Sequence, residues 1–334
     1  MRNLLFAVIL LLAVYLGISQ FTEIEQVVET LQRGDWRWLL AAAGVQLAVT
    51  VNAAASLRAI YRALGVEERI EDLLPLVAAA YFLNIVAPMA GVSGMAVLIA
   101  DARRRHRPVG RASTAAALLV LYDYAAFLVV LALGLIVLFR RNQLDAGEIV
   151  ASAILLAIAC GIGTLVYLGM RSADQLGAAL AWLGARVNAV LRPLIKREYL
   201  NLERAHAFAR DAAHGLQEAR RRPETLLLPG ALALSSKALL ISILFLVFMA
   251  FRQPFSVGTL IAGFSIGYLF LIVSPTPSGI GFVEGILTLT LVSLRVPLAP
   301  AALIALAYRG ITLWLPLAYG GLALRWAGRS APPD

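Results

Sequence analysis

The sequence predicts an all-α polytopic integral membrane protein with about six full spans and two broken helical hairpins that re-enter the membrane. Of its 334 residues, 60% are hydrophobic and only 15% are charged, and the mean hydropathy is +0.81. A soluble domain could not bury that much apolar surface. The apolar residues form runs that match the thickness of a bilayer, and proline and glycine interrupt two of these regions.

Six apolar runs are candidates for full spans. The first, Leu4–Ile18, could instead be a signal peptide, but no convincing cleavage site of small residues follows it, so we expect a retained span. A polar triplet, Ser235-Ser236-Lys237, interrupts the fifth apolar run. The other five predicted spans are Leu39–Leu57, Ala112–Phe139, Ile149–Met170, Thr225–Phe251 and Pro300–Leu324.

The more distinctive break is the segment Ser274–Gly285, which lies inside an otherwise apolar region. Pro275 and Pro277 remove backbone donors, and Gly279 and Gly281 tolerate backbone angles that a helix does not use. A continuous helix cannot run through such a segment, and in lipid a broken backbone is stable only where protein or a water-filled cavity covers it. We therefore expect two apolar helices joined by a turn inside the membrane. The alternative is an ordinary loop at the interface.

The other break, Asn84–Gly94, lies in the first half of the chain, between the apolar run Leu73–Val86 and the short run Met95–Ala100. Two interrupted segments, one in each half, are typical of transporters built from inverted repeats, whose binding site lies near the midplane of the membrane. An inverted repeat would give the two hairpins opposite orientations. The two halves share little sequence identity, so the repeat rests on this pattern alone.

Basic residues indicate the orientation. Residues 101–111 hold five arginines against one aspartate, and basic loops face the cytoplasm. Residues 171–224 hold ten basic and six acidic residues with apolar residues at helical spacing, which predicts amphipathic helices on the membrane surface or a small helical hairpin beneath it. With six full spans, both segments and both termini lie on the cytoplasmic side of the cell (plasma or inner) membrane. We therefore predict one membrane domain, 1–334, with 171–224 as a cytoplasmic segment within it.

Four ionisable residues lie within the apolar spans and form the centre of the candidate site: Asp123, Lys237, Glu284 and Arg309. Each would cost roughly 2.5–3.5 kcal/mol alone at the centre of a helix, so we expect acids and bases to pair, with Arg309 near Glu284 or Asp123. The pairs could simply fix the helix register. Alternatively, Arg309 or Lys237 binds an anionic headgroup while the acids balance the bases or respond to protons. The candidate substrate-binding residues are Arg309, Glu284, Asp123, Lys237, Asn84, Tyr308, Pro275, Pro277, Gly279 and Gly281.

Other kinds of site have little support in the sequence. A single cysteine, Cys160, excludes a disulfide framework, and the three histidines lie in charged segments without cysteine partners. We therefore predict neither a metal site nor a cofactor. The net charge of +9 lies mostly in two loops, which fits contact with anionic lipid headgroups and not with nucleic acid. A homo-oligomer is compatible with the sequence.

Three motifs together resemble a known family. They are Asn-x3-Pro-x2-Gly-x2-Gly from Asn84, Pro-x-Pro-x-Gly-x-Gly-x2-Glu from Pro275 and Tyr-Arg-x4-Trp from Tyr308. Over about Leu4–Leu324 the chain resembles the lysylphosphatidylglycerol synthase transmembrane-region family, also called flippase-like proteins. The resemblance implies a role in moving or handling glycerophospholipids or polyprenyl-linked glycolipids. The chain differs at Met95-Ala96-Val97, where relatives often carry an acidic residue or arginine, and it resembles the stand-alone members without an aminoacyl-transferase domain.

The expected function is that of a lipid flippase or transporter, which moves an anionic phospholipid or polyprenyl-linked glycolipid through a polar cavity at the midplane. The alternative is a membrane-embedded enzyme, or an enzyme partner, in lipid or glycolipid synthesis. For an enzyme, only Glu284 and Asp123 are candidates for an acid or a base. An ion channel or small-solute transporter would need a continuous polar pore, and the spans are too apolar for one.

Overall fold

The computed structural model describes residues 29–86, 92–104, 109–143, 146–195, 202–221, 223–274 and 276–329. These residues are almost entirely helical and contain no strand. The predicted first span, Leu4–Ile18, lies outside the described residues, as do Pro88, Gly91 and Pro275.

The helices follow one another with short connections. In chain order they are α1 (Trp36–Ala63), α2 (Ile70–Val86), α3 (Val92–Arg104), α4 (Val109–Arg140), α5 (Ala146–Arg171), α6 (Ala173–Ile195), α7 (Leu202–Arg221), α8 (Leu227–Ala250), α9 (Val257–Val273), α10 (Phe282–Ser293), α11 (Leu298–Arg309) and α12 (Leu315–Arg329). Short 3-10 turns lie before α8 (Pro223–Leu226) and between α9 and α10 (Pro277–Gly279). A π-helical turn lies between α11 and α12 (Gly310–Trp314).

Within the described residues, five helical stretches are long and apolar enough to cross a membrane, and they coincide with the second to sixth predicted spans. They are Trp36–Ala63, Val109–Arg140, Ala146–Arg171, Pro223–Ala250 and Leu298–Ala323. The polar triplet at 235–237 leaves α8 continuous. The Ser235 hydroxyl lies 2.9 Å from both the Leu232 carbonyl and Oδ1 of Asn52, and the Asn52 amide donates to the same carbonyl at 2.8 Å. These bonds join α1 to α8 where the two helices pack.

The first break forms a hairpin of α2 and α3, as predicted. Oδ1 of Asn84 accepts a hydrogen bond from the Gly94 backbone N–H at 2.7 Å, which joins the end of α2 to the first turn of α3. The outer face of α2 packs closely on α12. A Cβ atom at Gly320 would lie only 2.5 Å from the Ala78 carbonyl oxygen, so the two backbones can approach this closely only because residue 320 is glycine.

The second break forms a hairpin of α9 and α10, which packs on α4. At the centre of this packing the Ser265 hydroxyl donates to the Val130 carbonyl at 3.1 Å, and Gly134 leaves room for it. Phe127 and Phe264 meet edge to face at 6.2 Å in the largest apolar cluster of the described chain. α9 therefore holds the second hairpin against a full-length span, α4.

Contacts between helix ends define one end of the bundle. The Asp35 backbone N–H donates to the Ala250 carbonyl at 3.0 Å, and Arg141 donates to the Ser256 hydroxyl at 3.0 Å. The start of α1, the ends of α4 and α8 and the start of α9 therefore lie together. The end of α10 returns to this end, since Leu294 packs against Leu138.

The first hairpin begins and ends at the opposite end of the bundle. A cavity of about 290 Å³ there is lined by Tyr61, Val66, Asp101 and Arg111, which belong to the end of α1, the approach to α2, the end of α3 and the start of α4. The two hairpins thus enter the bundle from opposite ends. This is the orientation that an inverted repeat requires.

The long polar segment forms a second kind of hairpin, α6 and α7, which pack against each other. Leu176, Ala209 and Ala212 bury one apolar face between them. Leu216 and Ala219 join a cluster that includes residues at the start of α4. In the described part of 171–224, α6 and α7 thus form a helical hairpin, and α7 packs against α4 and α5.

Candidate functional site

The tips of the two hairpins meet inside the bundle. The Ser278 hydroxyl donates to the Ile85 carbonyl at 2.8 Å, which joins the second break to the last turn of α2. Ser278 has φ +54°, and Gly279 and Gly281 have φ +73° and +74°. These three left-handed residues within four positions reverse the chain tightly. A left-handed conformation is costly for a residue other than glycine, and Ser278 is held in it by hydrogen bonds through both its hydroxyl and its carbonyl.

Arg309 is the residue that secures this turn. Its Nε atom donates to Oε1 of Glu284 at 2.8 Å, and its Nη2 atom donates to the Ser278 carbonyl at 2.6 Å. The arginine is only 4% exposed. It lies at the end of α11, where the π-helical turn Gly310–Trp314 widens the backbone, as such turns often do at functional positions.

Glu284 lies in the first turn of α10, where the positive end of the helix dipole favours a carboxylate. It is 8% exposed, and its Oε2 atom is buried without a hydrogen-bond partner. A buried carboxylate oxygen without a donor is costly, so this atom has unused capacity to accept a hydrogen bond. The expected proximity of Arg309 to Glu284 is found.

The other two intramembrane charges form a separate pair. Nζ of Lys237 donates to Oδ1 of Asp123 at 2.6 Å and to the Tyr268 hydroxyl at 2.8 Å, and that hydroxyl donates to Oδ2 of Asp123 at 2.9 Å. Nζ also lies 4.1 Å from the centre of the Tyr268 ring. Lys237 is 1% exposed, whereas the Asp123 side chain is 34% exposed. The accessible member of this pair is therefore the acid.

Asp123 belongs to one of two groups of helices in the described chain. α2 and α12 pack on each other, α4, α8 and α9 form a second group, and the described parts of the two groups make no extended contact. Tyr81 of α2 lies within electrostatic range of Asp123 and of Tyr319, whose hydroxyl is 2.5 Å from Oγ1 of Thr50.

α2 connects the two charged centres. Tyr81 lies within electrostatic range of Asp123, and Ile85, four positions later, receives the hydrogen bond from Ser278. Residues four apart lie on the same face of a helix, about 6 Å apart along its axis. The ion pair at Asp123 and the turn secured by Arg309 therefore lie along one face of α2.

The remaining candidates have structural contacts. Asn84 uses its side chain to close the first break, and Tyr308 is buried in the core beside Arg309. Pro277 begins the single 3-10 turn of the second break. A Cβ atom at Gly279 would collide with Val283. These residues shape the breaks, and their part in binding a substrate remains a prediction.

Three contributors were missed by sequence reasoning. Ser278 lies within the predicted break, and its position between Pro277 and Gly279 gave no indication of a bond to α2. Tyr268 and Tyr81 lie in apolar runs where a tyrosine is typical of an ordinary core residue. The available signal was the hydroxyl itself, since a buried tyrosine usually finds a hydrogen-bond partner.

Both ion pairs are held by hydrogen bonds between different helices. In the described part of the chain, no group of three or more histidine, cysteine, aspartate or glutamate side chains could hold a metal ion. The charged groups of the site are two buried cations, Arg309 and Lys237, one buried carboxylate, Glu284, and one partly exposed carboxylate, Asp123.

Comparison with protein families gives one match, and it covers most of the chain. The family described as the lysylphosphatidylglycerol synthase transmembrane region matches residues 4–320. Comparison with curated proteins and with solved structures finds no match. The family resemblance seen in the sequence motifs is thereby confirmed. The chain belongs to the lysylphosphatidylglycerol synthase transmembrane-region family and is a multi-pass membrane protein of lipid-related processes.

Proposed function

We propose that the protein is a lipid flippase, which moves a phosphate-bearing lipid, either an anionic phospholipid or a polyprenyl-linked glycolipid, from one leaflet to the other. The headgroup passes through the polar interior while the acyl chains stay in the bilayer. The observation that carries the proposal is the meeting of two oppositely oriented hairpin tips beside a buried arginine. A broken backbone and a buried charge at one place in the membrane are typical of substrate pathways.

Arg309 is the proposed phosphate ligand. A guanidinium can bind two oxygens at once, and phosphate oxygens suit its geometry as well as a carboxylate does. In the resting arrangement one arm binds Glu284 and another binds the Ser278 carbonyl. A phosphate that competes for these donors would release the second break from α11.

Release of the second break provides a way to alternate access. The two hairpins enter from opposite ends of the bundle, and Ser278 joins their tips. When Arg309 turns to the phosphate, the Ser278 contact with Ile85 loses its support, and the tips can separate toward one end or the other. Each direction of separation exposes the headgroup to one side of the membrane.

We further propose that the protein lies in the plasma or inner membrane with both termini cytoplasmic. Arg103 and Arg104 at the end of α3, and Arg220 and Arg221 at the end of α7, are exposed, as basic residues that contact anionic headgroups must be. The proposed partners are membrane lipids with anionic headgroups.

Transport can be measured in reconstituted vesicles. A phosphatidylglycerol with a fluorescent acyl chain is incorporated into both leaflets, and a membrane-impermeant quencher reports the fraction that reaches the outer leaflet. We expect the native protein to make nearly all of the label accessible, whereas vesicles without protein keep the inner half protected.

Two variants examine the role of the site. Arg309→Lys keeps the charge but loses the forked geometry, so the rate should fall about tenfold, as for the loss of one charge-assisted hydrogen bond. Glu284→Gln should also slow transport, because it leaves the arginine without its counter-charge. The matched control is Arg37→Lys, at an exposed arginine outside the site. Native rates in both site variants would make the ion pair structural, and protection of every phospholipid by the native protein would refute the flippase.

A further inference from the structure

We infer that a cavity at the entrance of the second hairpin binds the phosphate of a lipid headgroup. The cavity has a volume of about 610 Å³, and its lining includes Arg33, Trp36, Arg37, Phe251 and Arg252. We call it the arginine cavity. Arg309 does not line it, and the inference does not depend on the proposed transport.

Contacts between two helix ends build the arginine cavity. The Asp35 backbone N–H donates to the Ala250 carbonyl at 3.0 Å, which ties the segment before α1 to the end of α8. A Cβ atom at Gly34 would lie only 3.4 Å from the Phe251 ring, so glycine lets the two segments approach closely. The arginines of both segments therefore line one cavity, although the segments lie far apart in the sequence.

The cavity carries an excess of positive charge. Three arginines and one acid line it, and the Oδ1 atom of that acid, Asp35, accepts a hydrogen bond from the Arg37 backbone N–H at the start of α1. Arg37 itself lies over Trp36, with its guanidinium 5.9 Å from the centre of the ring. Among the residues that the structure describes, neither Arg33 nor Arg252 forms an ion pair, and both are exposed. These two guanidinium groups are available to an anion.

Two guanidinium groups suit a phosphate. Each presents a fork of donors that can bind two oxygens at once. One fork already satisfies both oxygens of a carboxylate, whereas the tetrahedral oxygens of a phosphate can serve two forks. The cavity volume also lies within the usual range for sites of small molecules, roughly 300–1,000 Å³. The arginine cavity therefore fits a phosphate together with the first atoms of the groups attached to it.

Exposed aromatic residues indicate that the cavity lies at the depth of lipid headgroups. Trp36, which lines the cavity, is 64% exposed, and Trp38 and Phe255 are also exposed at this end of the bundle. Tryptophan at the end of a span is typical of the interface between membrane and water. The abundant anionic group at that depth is the phosphate of a lipid, so a lipid headgroup is the occupant that fits the cavity.

Membrane topology does not account for these arginines. In the orientation proposed above, this end faces away from the cytoplasm, whereas lysine and arginine concentrate on the cytoplasmic side. The cavity at the opposite end has a different lining, in which Arg111 is accompanied by Glu67, Glu68 and Asp101. The excess of positive charge therefore belongs to the arginine cavity and is not common to both hairpin entrances.

Photolabelling with two matched lipids tests the site. The probes are a phosphatidic acid and a diacylglycerol with the same acyl chains, each with a diazirine next to the glycerol. The full-length protein is reconstituted into phosphatidylcholine vesicles with one probe and irradiated, and mass spectrometry measures the labelled peptides. We expect phosphatidic acid to label the peptides of Trp36 and Phe251 about tenfold more than the diacylglycerol does, as for two exposed charge pairs.

The double variant Arg33→Gln, Arg252→Gln should reduce labelling by phosphatidic acid about tenfold, to the level of the diacylglycerol, because both forks are lost. Arg33→Gln alone should reduce it about threefold. Labelling of the same peptides by the diacylglycerol should stay unchanged in both variants, which shows that they are folded and inserted. The matched control is Arg140→Gln, at an exposed arginine of this end that does not line the cavity.

Equal labelling by the two probes in the native protein, or native labelling by phosphatidic acid in the double variant, would overturn the site. Excess inorganic phosphate in the buffer should leave the labelling unchanged. Displacement to the level of the diacylglycerol would assign the cavity to a soluble phosphate and overturn the lipid headgroup as its occupant. None of these results bears on the flippase, which the transport assay tests separately.

Discussion

Removal of one partner of the Arg309–Glu284 pair should destabilise the fold much more than removal of both. Arg309→Met leaves the Glu284 carboxylate buried, with one oxygen already lacking a partner and the other losing its donor. Breaking a buried pair in this way costs about 3–5 kcal/mol. Glu284→Met leaves the guanidinium with the Ser278 carbonyl alone and should cost a similar amount.

The double variant has no buried charge left at this position. Its main loss is the hydrogen bond from Arg309 to the Ser278 carbonyl, a charge-assisted bond of about 1.5–3 kcal/mol. The losses in free energy of unfolding of the two single variants should therefore add up to more than the loss in the double variant. We expect a coupling energy of about 3 kcal/mol or more between positions 284 and 309.

The measurement is the free energy of unfolding of the four proteins in mixed micelles, titrated with a denaturing detergent and followed by helical circular dichroism. Arg37→Met, at an exposed position, should change the stability by no more than about 0.5 kcal/mol. Losses that add within about 0.5 kcal/mol would show that the two side chains do not depend on each other, and the reasoning from the buried pair would be wrong.

Three further changes examine the breaks and the packing of the first hairpin. Gly279→Ala should lower the free energy of unfolding by at least about 1–2 kcal/mol, because residue 279 is left-handed, and an unchanged stability would contradict the turn geometry. Gly320→Ala should cost about 1–3 kcal/mol through its contact with a carbonyl of α2, whereas Gly161→Ala, which has open space around it, should cost nothing measurable in the same denaturation assay. The last change is a cysteine in place of Ile280, in a chain from which the native Cys160 has been removed. It should react slowly with a membrane-impermeant maleimide, whereas a cysteine in place of the exposed Gln143 should react quickly. Equal reaction rates would make the second break an ordinary loop.

The breaks could be predicted from the sequence because their cause is local. Proline removes a donor and glycine permits left-handed angles wherever they occur, so Ser274–Gly285 had to interrupt a helix. The polar triplet Ser235–Lys237 interrupts the apolar pattern of the span Thr225–Phe251, but α8 is continuous there, because the triplet contains neither proline nor glycine. Such effects do not depend on which helix lies opposite.

The choice of partners could not be predicted in the same way. Charge balance required two acids to meet two bases, and it left open which acid would meet Arg309. The bond between Ser278 and Ile85 joins residues 193 positions apart, and no periodicity in either segment encodes it. Contacts of this kind depend on the relative depth and rotation of packed helices, which are properties of the assembled bundle.

The pairing of Asp123 with Lys237 has a consequence for how the chain is made. The two residues are 114 positions apart, so at roughly 5–20 residues per second about 6–23 seconds of synthesis separate them. Glu284 and Arg309 are only 25 positions apart, and about 1–5 seconds separate them at the same rate. α4 is therefore synthesised with a carboxylate whose counter-charge does not yet exist. During that interval Asp123 must stay hydrated or shielded by the insertion machinery, until α8 brings Lys237 to pair with it.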